Sequence, residues 1–269
     1  MNPLALTLAG GQTASLFLVL LRCTGFVMTA PILGHRAVPR PVKAGLIAML
    51  AVTLVGDASA AQGAVPMLVA APIEILIGIT LGFALGLGFS AVETAARLLS
   101  LQMGLSLGAV FDPVSGEAST PFDPLFAVMA GLLFLALNLH LAIIGVLAES
   151  FKALPIGGAW PTDLFGAVSR LIALTLELAA RVAMPLALVL LLVELSVALV
   201  SRAIPQINVF FLGLPLKILV GIVLVGIALP TILAGMAGIF RFLIGGVSAA
   251  LVAGGAGLAG ASPLPSVVP

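Results

Sequence analysis

The chain has 269 residues, of which 62% are hydrophobic and 8% charged, with a net charge of +1. Ordinary soluble domains carry about 25% charged residues. The composition therefore excludes a disordered chain, a nucleic-acid binder with enough Lys and Arg to follow a polynucleotide, and a water-soluble globule, and leaves a multi-span membrane protein.

The apolar runs are continuous rather than alternating and far longer than a barrel strand of about ten residues, so they predict helices. The start, Met1-Asn2-Pro3-Leu4, has no positive region ahead of the apolar stretch. No cleaved signal peptide is expected, and the first span is expected to stay as an anchor. The first run, about Ala14 to Leu33, is broken only by Arg22 and carries the lone cysteine, Cys23, read as a passive buried thiol. A polar turn, Gly34 to Pro41, leads to a short second run, Val42 to Val55, and a small-residue linker, Asp57 to Val65. By the positive-inside rule Arg36, Arg40 and Lys43 place that turn in the cytoplasm.

The third run, about Pro72 to Gly104, is the longest. Pro72 fits a first helical turn and Glu74 the positive end of a helix dipole. Gly78, Gly82 and Gly86, spaced by four, predict one smooth face for close helix contact. The second half is amphipathic, with Glu93 and Arg97 one turn apart. The Pro- and Gly-rich stretch Ala109 to Asp123 predicts a non-helical insert. A fourth run, Pro124 to Phe151, holds Asn138 and His140 at its middle, and Lys152 to Asp163 is a second break. The fifth run, about Leu164 to Arg202, carries Glu177, Arg181 and Glu194, with a kink expected at Pro185. The sixth, Val209 to Ile244, contains Pro215 and Pro230, and Gly245 to Pro269 reads as a poorly ordered tail.

Enzyme signals are weak. There is no His-Glu-x-x-His, no P-loop and no G-x-G-x-x-G dinucleotide fingerprint at a strand–helix junction. Gly104 to Gly108 matches G-x-S-x-G, but without the strand that would expose Ser106. No second ligand stands three or four residues from His140, which reads as an interior residue, and His35 reads as solvated. Neither a catalytic residue, a metal nor a cofactor is expected. A small-solute transporter is a competing reading, but it calls for an inverted repeat that the sequence does not display.

The ionisable residues inside apolar runs, Arg22, Glu93, Arg97, Glu177, Arg181 and Glu194, are the sharper signal, because each costs several kcal/mol against lipid. Either they pair structurally or they form a polar seam or conduit between subunits. The Ala109–Asp123 insert is either an ordinary external loop or, with Phe111 and Phe122 and Met103 leading in, a movable filler of a hole.

Several stretches resemble FliR, a membrane component of the flagellar type III export gate. They are Arg22-Cys23-Thr24-Gly25-Phe26, Ala30 to Gly34, Val38 to Lys43, Gln102 to Ser106, Phe111-Asp112-Pro113, Leu139-His140-Leu141, Ser150 to Gly157, Ala203 to Phe210 and Gly213 to Lys217. The resemblance covers roughly Leu16 to Phe242. It implies an all-α protein of about six long broken helices in helical hairpins, built for a closed helical hetero-oligomer with FliP- and FliQ-like subunits. FlhA- and FlhB-like components would lie nearby, in the bacterial inner membrane at the flagellar basal body. Unfolded flagellar proteins would pass through the centre.

It further implies a FliP-like region at 1–183 and a FliQ-like hairpin at 184–244 with Pro205, Gln206 and Asn208 at its turn; the flexible Gly/Ala/Pro tail at 245–269, read from composition, has no match in it. The loop at about 104–123 would be a plug, with Met103, Gly104, Phe111, Asp112, Pro113 and Phe122 as its residues. On this resemblance many apolar faces meet protein rather than lipid. A cousin family in virulence injectisomes shares the Pro-Gln-x-Asn and Pro-Leu-Lys features, and Gly213 to Lys217 leans flagellar.

Overall fold

The structure, a computed structural model, describes residues 3–56, 58, 66–105, 122–158, 164–203 and 209–256. The described residues form α-helices and no strand. The helices are α1 (Pro3–Thr29), α2 (Arg40–Leu54), α3 (Met67–Met103), α4 (Phe122–Ala136), α5 (Leu139–Ala153), α6 (Leu164–Ala203) and α7 (Val209–Ala256). The all-α class follows from the long apolar runs, whose backbone amides are satisfied within each helix. Three helical stretches, Met67–Met103, Val168–Arg202 and Gly213–Leu251, are long and apolar enough to cross a membrane; the α4–α5 pair makes a fourth if read as one broken span.

Three boundaries differ from the sequence reading. α3 starts on Pro66, whose carbonyl accepts from the Val69 and Ala70 amides at 2.8 and 3.0 Å, so Pro72 is an interior residue rather than a first-turn one. The fourth run is two helices. Asn138, with φ 53°, takes the left-handed conformation that Asn tolerates, and this ends α4 after Ala136 and starts α5 at Leu139. α7 continues through Gly245 and Gly246 to Ala256, with Leu251 buried, so its last turns occupy the start of the segment expected as a tail. α6 and α7 each remain one helix through Pro185, Pro215 and Pro230.

The chain divides into two compact units. One comprises the described residues within 1–86, 140–172 and 243–269; the other comprises those within 87–139 and 173–242. In the first, α2 packs along α1 through Ile47, Leu50, Ala51 and Leu54. Val19, Cys23, Phe26 and Val27 of α1 are buried, as are Ile77 and Leu81 of α3 and Ile143 and Leu147 of α5. Cys23 is a buried free thiol, as its apolar setting predicted. In the second unit Phe89, Phe134 and Phe240 stack in a triangle with ring centroids 5.0 to 5.8 Å apart and tilted or edge-on planes. That geometry suits the ring quadrupoles.

Candidate functional site

The most heavily connected polar group in the described chain is Arg22, wholly buried on α1. Its Nε donates to Glu74 Oε2 of α3 at 2.6 Å. Nη1 donates to the Ser150 carbonyl at 2.9 Å and to Ser150 Oγ at 3.4 Å, and Nη2 donates to the Leu154 carbonyl at 2.9 Å. The last carbonyls of a helix have no partner within it and carry partial negative charge. Arg22 therefore caps the C-terminal end of α5 from another helix. Its guanidinium also lies 4.5 Å over the Phe151 ring, a buried cation–π contact.

Glu74 completes the arrangement. It is 1% exposed, and its second oxygen accepts from the Gly157 amide at 3.0 Å. Gly157 has φ 74°, a conformation that glycine adopts without a Cβ penalty, and this turns its N–H onto the carboxylate. One ion pair thus joins α1, the first half of α3 and the connection that follows α5. Isolated, either charge would be costly there; together, with four further hydrogen bonds, both are satisfied.

Glycines let these helices come close enough. A Cβ on Gly78 would overlap the Arg22 carbonyl, and one on Gly82 would stand 2.7 Å from the Phe26 carbonyl and 2.8 Å from the Ala30 amide. Gly86 is looser, 3.8 Å from the Thr29 carbonyl. The predicted glycine face is thus set against α1 of the same chain. Gly25, which the sequence reading missed, faces it: a Cβ there would overlap the Ile75 carbonyl. The signal was available, since Gly25 lies three residues from the charge in the run.

The end of α3 is the second feature. Met103 is fully buried, and a Cβ on Gly221 of α7 would overlap its side-chain methyl. Gly104 has φ 77°, with its amide bonded to the Leu101 carbonyl at 3.0 Å and the Leu105 amide bonded to the Ser100 carbonyl at 3.1 Å. This is a Schellman cap, and it gives Gly104 a defined role as the stop of the helix. Phe122 opens α4. Ser106, Phe111, Asp112 and Pro113 lie outside the described residues, as do Pro205, Gln206 and Asn208.

The remaining charges are on the outside of the single chain. Glu93 and Arg97 are exposed, and no ion pair joins them among the described residues. Glu177 and Arg181 do pair along α6 at 2.6 Å, with side chains 52% and 69% exposed. Glu194 of α6 pairs with Lys217 of α7 at 3.0 Å. Of the six charges expected to be buried or at a seam, only Arg22 is buried within the chain. The other five are exposed on the chain.

A family model described as bacterial export proteins, family 1, matches residues 13–243. The chain belongs to that family. Members of this export family include the flagellar biosynthetic protein FliR of Escherichia coli K12, 37% identical over 220 residues, which cover 80% of this chain and 84% of the relative. They include FliR of Aquifex aeolicus, 33% identical over 232 residues, and FliR of Bacillus subtilis, 31% identical over 235; each match covers 84% of this chain and 90% of the relative. This export-family chain is therefore a helical, multi-pass membrane component of the flagellar export apparatus, and the flagellar assignment expected from Gly213 to Lys217 stands. The family's role is transport. Residues 22, 25, 74, 78 and 157 of the first unit and 103 and 104 of the second all fall inside the matched range.

Proposed function

We propose that this chain is a wall subunit of the flagellar export gate, assembled with FliP- and FliQ-like subunits around a passage for unfolded flagellar proteins across the bacterial inner membrane. FlhA- and FlhB-like components would stand beside it. Residues 1–183 would form a FliP-like region and 184–244 a FliQ-like hairpin turning at Pro205, Gln206 and Asn208. The observation that carries the reading is the mixed outer face of α6. Leu188, Leu192, Leu195 and Leu199 are each 56–61% exposed, yet the same helix presents Glu177, Arg181 and Glu194. Such charges are costly at the centre of a bilayer, whereas against partner helices they can be paired and can fix register. Glu93 and Arg97 on α3 support the same reading.

The segment from Gly104 to Phe122 would be the resting plug. The Schellman cap at Gly104 stops α3 abruptly, and Met103 anchors the near end in the core. Phe111, Asp112 and Pro113 would obstruct the passage. Deletion of Phe111–Phe122 is expected to make cells leaky to small solutes while the complex still assembles; an unchanged leak with an intact complex removes the plug. Purification in mild detergent is expected to bring FliP- and FliQ-like subunits with the chain. A stable, well-folded monomer would count against the gate.

A further inference from the structure

The first 56 residues contain four basic side chains, Arg22, Arg36, Arg40 and Lys43, and no Asp or Glu; the first acid is Asp57. Glu74 takes the charge of Arg22. Arg36, Arg40 and Lys43 are left as the densest cationic group in the chain, and none of them is in an ion pair among the described residues. Arg36 and Arg40 are exposed, and Lys43 is half-buried.

The turn that carries them is ordered before any partner arrives. The Gly34 amide bonds to the Ala30 carbonyl at 2.9 Å, and the Val38 amide to the His35 carbonyl at 3.1 Å. The Ala37 amide donates to His35 Nδ1 at 3.2 Å, and Lys43 Nζ donates to the Gly34 carbonyl at 2.8 Å. Ile32 is held at φ 64° inside the same turn. A surface organised in advance loses less freedom on binding than a floppy one.

α2 follows directly and has two unlike faces. Ile47, Leu50, Ala51 and Leu54 are buried, while Val42, Met49 and Val52, at 57%, 60% and 66% exposure, form together with Gly45 an uncovered stripe on the helix face opposite them. Its 15 residues reach about 22 Å, short of the roughly 30 Å hydrocarbon core, so α2 does not cross. A short helix with an open apolar stripe and an acid-free cationic end matches a leaflet surface: acyl chains for the stripe, phosphates for the cations.

We infer that the turn Gly34–Lys43 and α2 form a docking surface for anionic phospholipid, with Arg36, Arg40 and Lys43 holding headgroup phosphates and Val42, Met49 and Val52 entering the acyl boundary. This goes beyond the gate reading and stands without it, because it needs no partner subunit and no plug. A basic side chain near an anionic leaflet contributes about fivefold in affinity, so three contribute on the order of a hundredfold.

The test uses the full chain in detergent with whatever subunits co-purify, titrated with dioleoylphosphatidylglycerol or dioleoylphosphatidylcholine while thermal unfolding is followed. The phosphatidylglycerol response is expected to be strong in the native protein, to weaken sharply in about 0.5 M salt where screening acts within a few ångströms, and to fall on the order of a hundredfold in affinity in R36Q/R40Q/K43Q. The R36Q/R40Q variant keeps the Lys43–Gly34 bond, and so the turn, and is expected to lose roughly twenty- to thirtyfold. An unchanged phosphatidylglycerol response in R36Q/R40Q overturns the inference, as does an equal response to phosphatidylcholine. Loss of co-purifying subunits with an unchanged lipid response assigns the patch to protein docking and overturns it too.

Discussion

Two ion pairs in this chain have the same 2.6 Å separation and opposite settings. Arg22–Glu74 joins two helices with side chains 0% and 1% exposed, whereas Glu177–Arg181 lies along one helix with side chains more than half exposed. The first pair is surrounded by acceptors and a donor that it completes: the Ser150 and Leu154 carbonyls and the Gly157 amide. The second pair satisfies only itself among the described residues. Distance therefore says little about what a charge pair does. The buried pair fixes how three segments meet. The exposed pair leaves its remaining hydrogen-bonding capacity turned outward, toward water or a partner.

The comparison is broken most directly at Arg22. Arg22→Ala leaves Glu74 buried without its cation and is expected to cost about 3–5 kcal/mol. Thermal unfolding of the purified protein, or its abundance in the membrane, reads the loss. R22M/E74M removes both charges and is expected to recover much of the stability, because an apolar pair of similar volume leaves no bare charge. If the double variant were as damaged as the single, the clamp would owe its effect to the lost carbonyl caps rather than to charge pairing.

Gly78→Val sharpens the same point from the backbone side. Its branched side chain would drive into the Arg22 carbonyl and push α1 from α3, at an expected cost of about 3 kcal/mol or more. The same measurement should show no loss for Gly45→Ala, where nothing lies within 4 Å, but a gain of about 0.5–1 kcal/mol, because Ala favours the helix interior over Gly. The smallest effect is expected at the exposed pair. Arg181→Gln in the isolated chain should change stability by about 0.3–0.5 kcal/mol, as for a surface pair one helical turn apart. A much larger loss that appears only in the assembled complex would locate the Arg181 side chain at a subunit contact.

Much of this molecule was legible in its sequence. The helices, their approximate order, the glycine face at 78, 82 and 86 and the local pair at Glu177 and Arg181 all follow from spacing along one helix. One missed feature was also local: Asn138 as a left-handed break obeys a known end rule, but apolar continuity across 124–151 outweighed it, whereas the helix end at Gly104 was legible. Glu93 and Arg97 show the limit of spacing, since favourable separation did not bring the two side chains together.

The sequence by itself determined that this chain is helical and built for a membrane setting, because composition and apolar run length decide how backbone amides must be satisfied without water. Only the tertiary structure decided that Arg22 meets Glu74 across 52 residues and caps α5 across 128. No local periodicity encodes such a pairing. It arises when Gly25, Gly78 and Gly82 let two backbones approach, and when a buried cation, with nowhere else to go, takes the carboxylate and carbonyls brought within its reach.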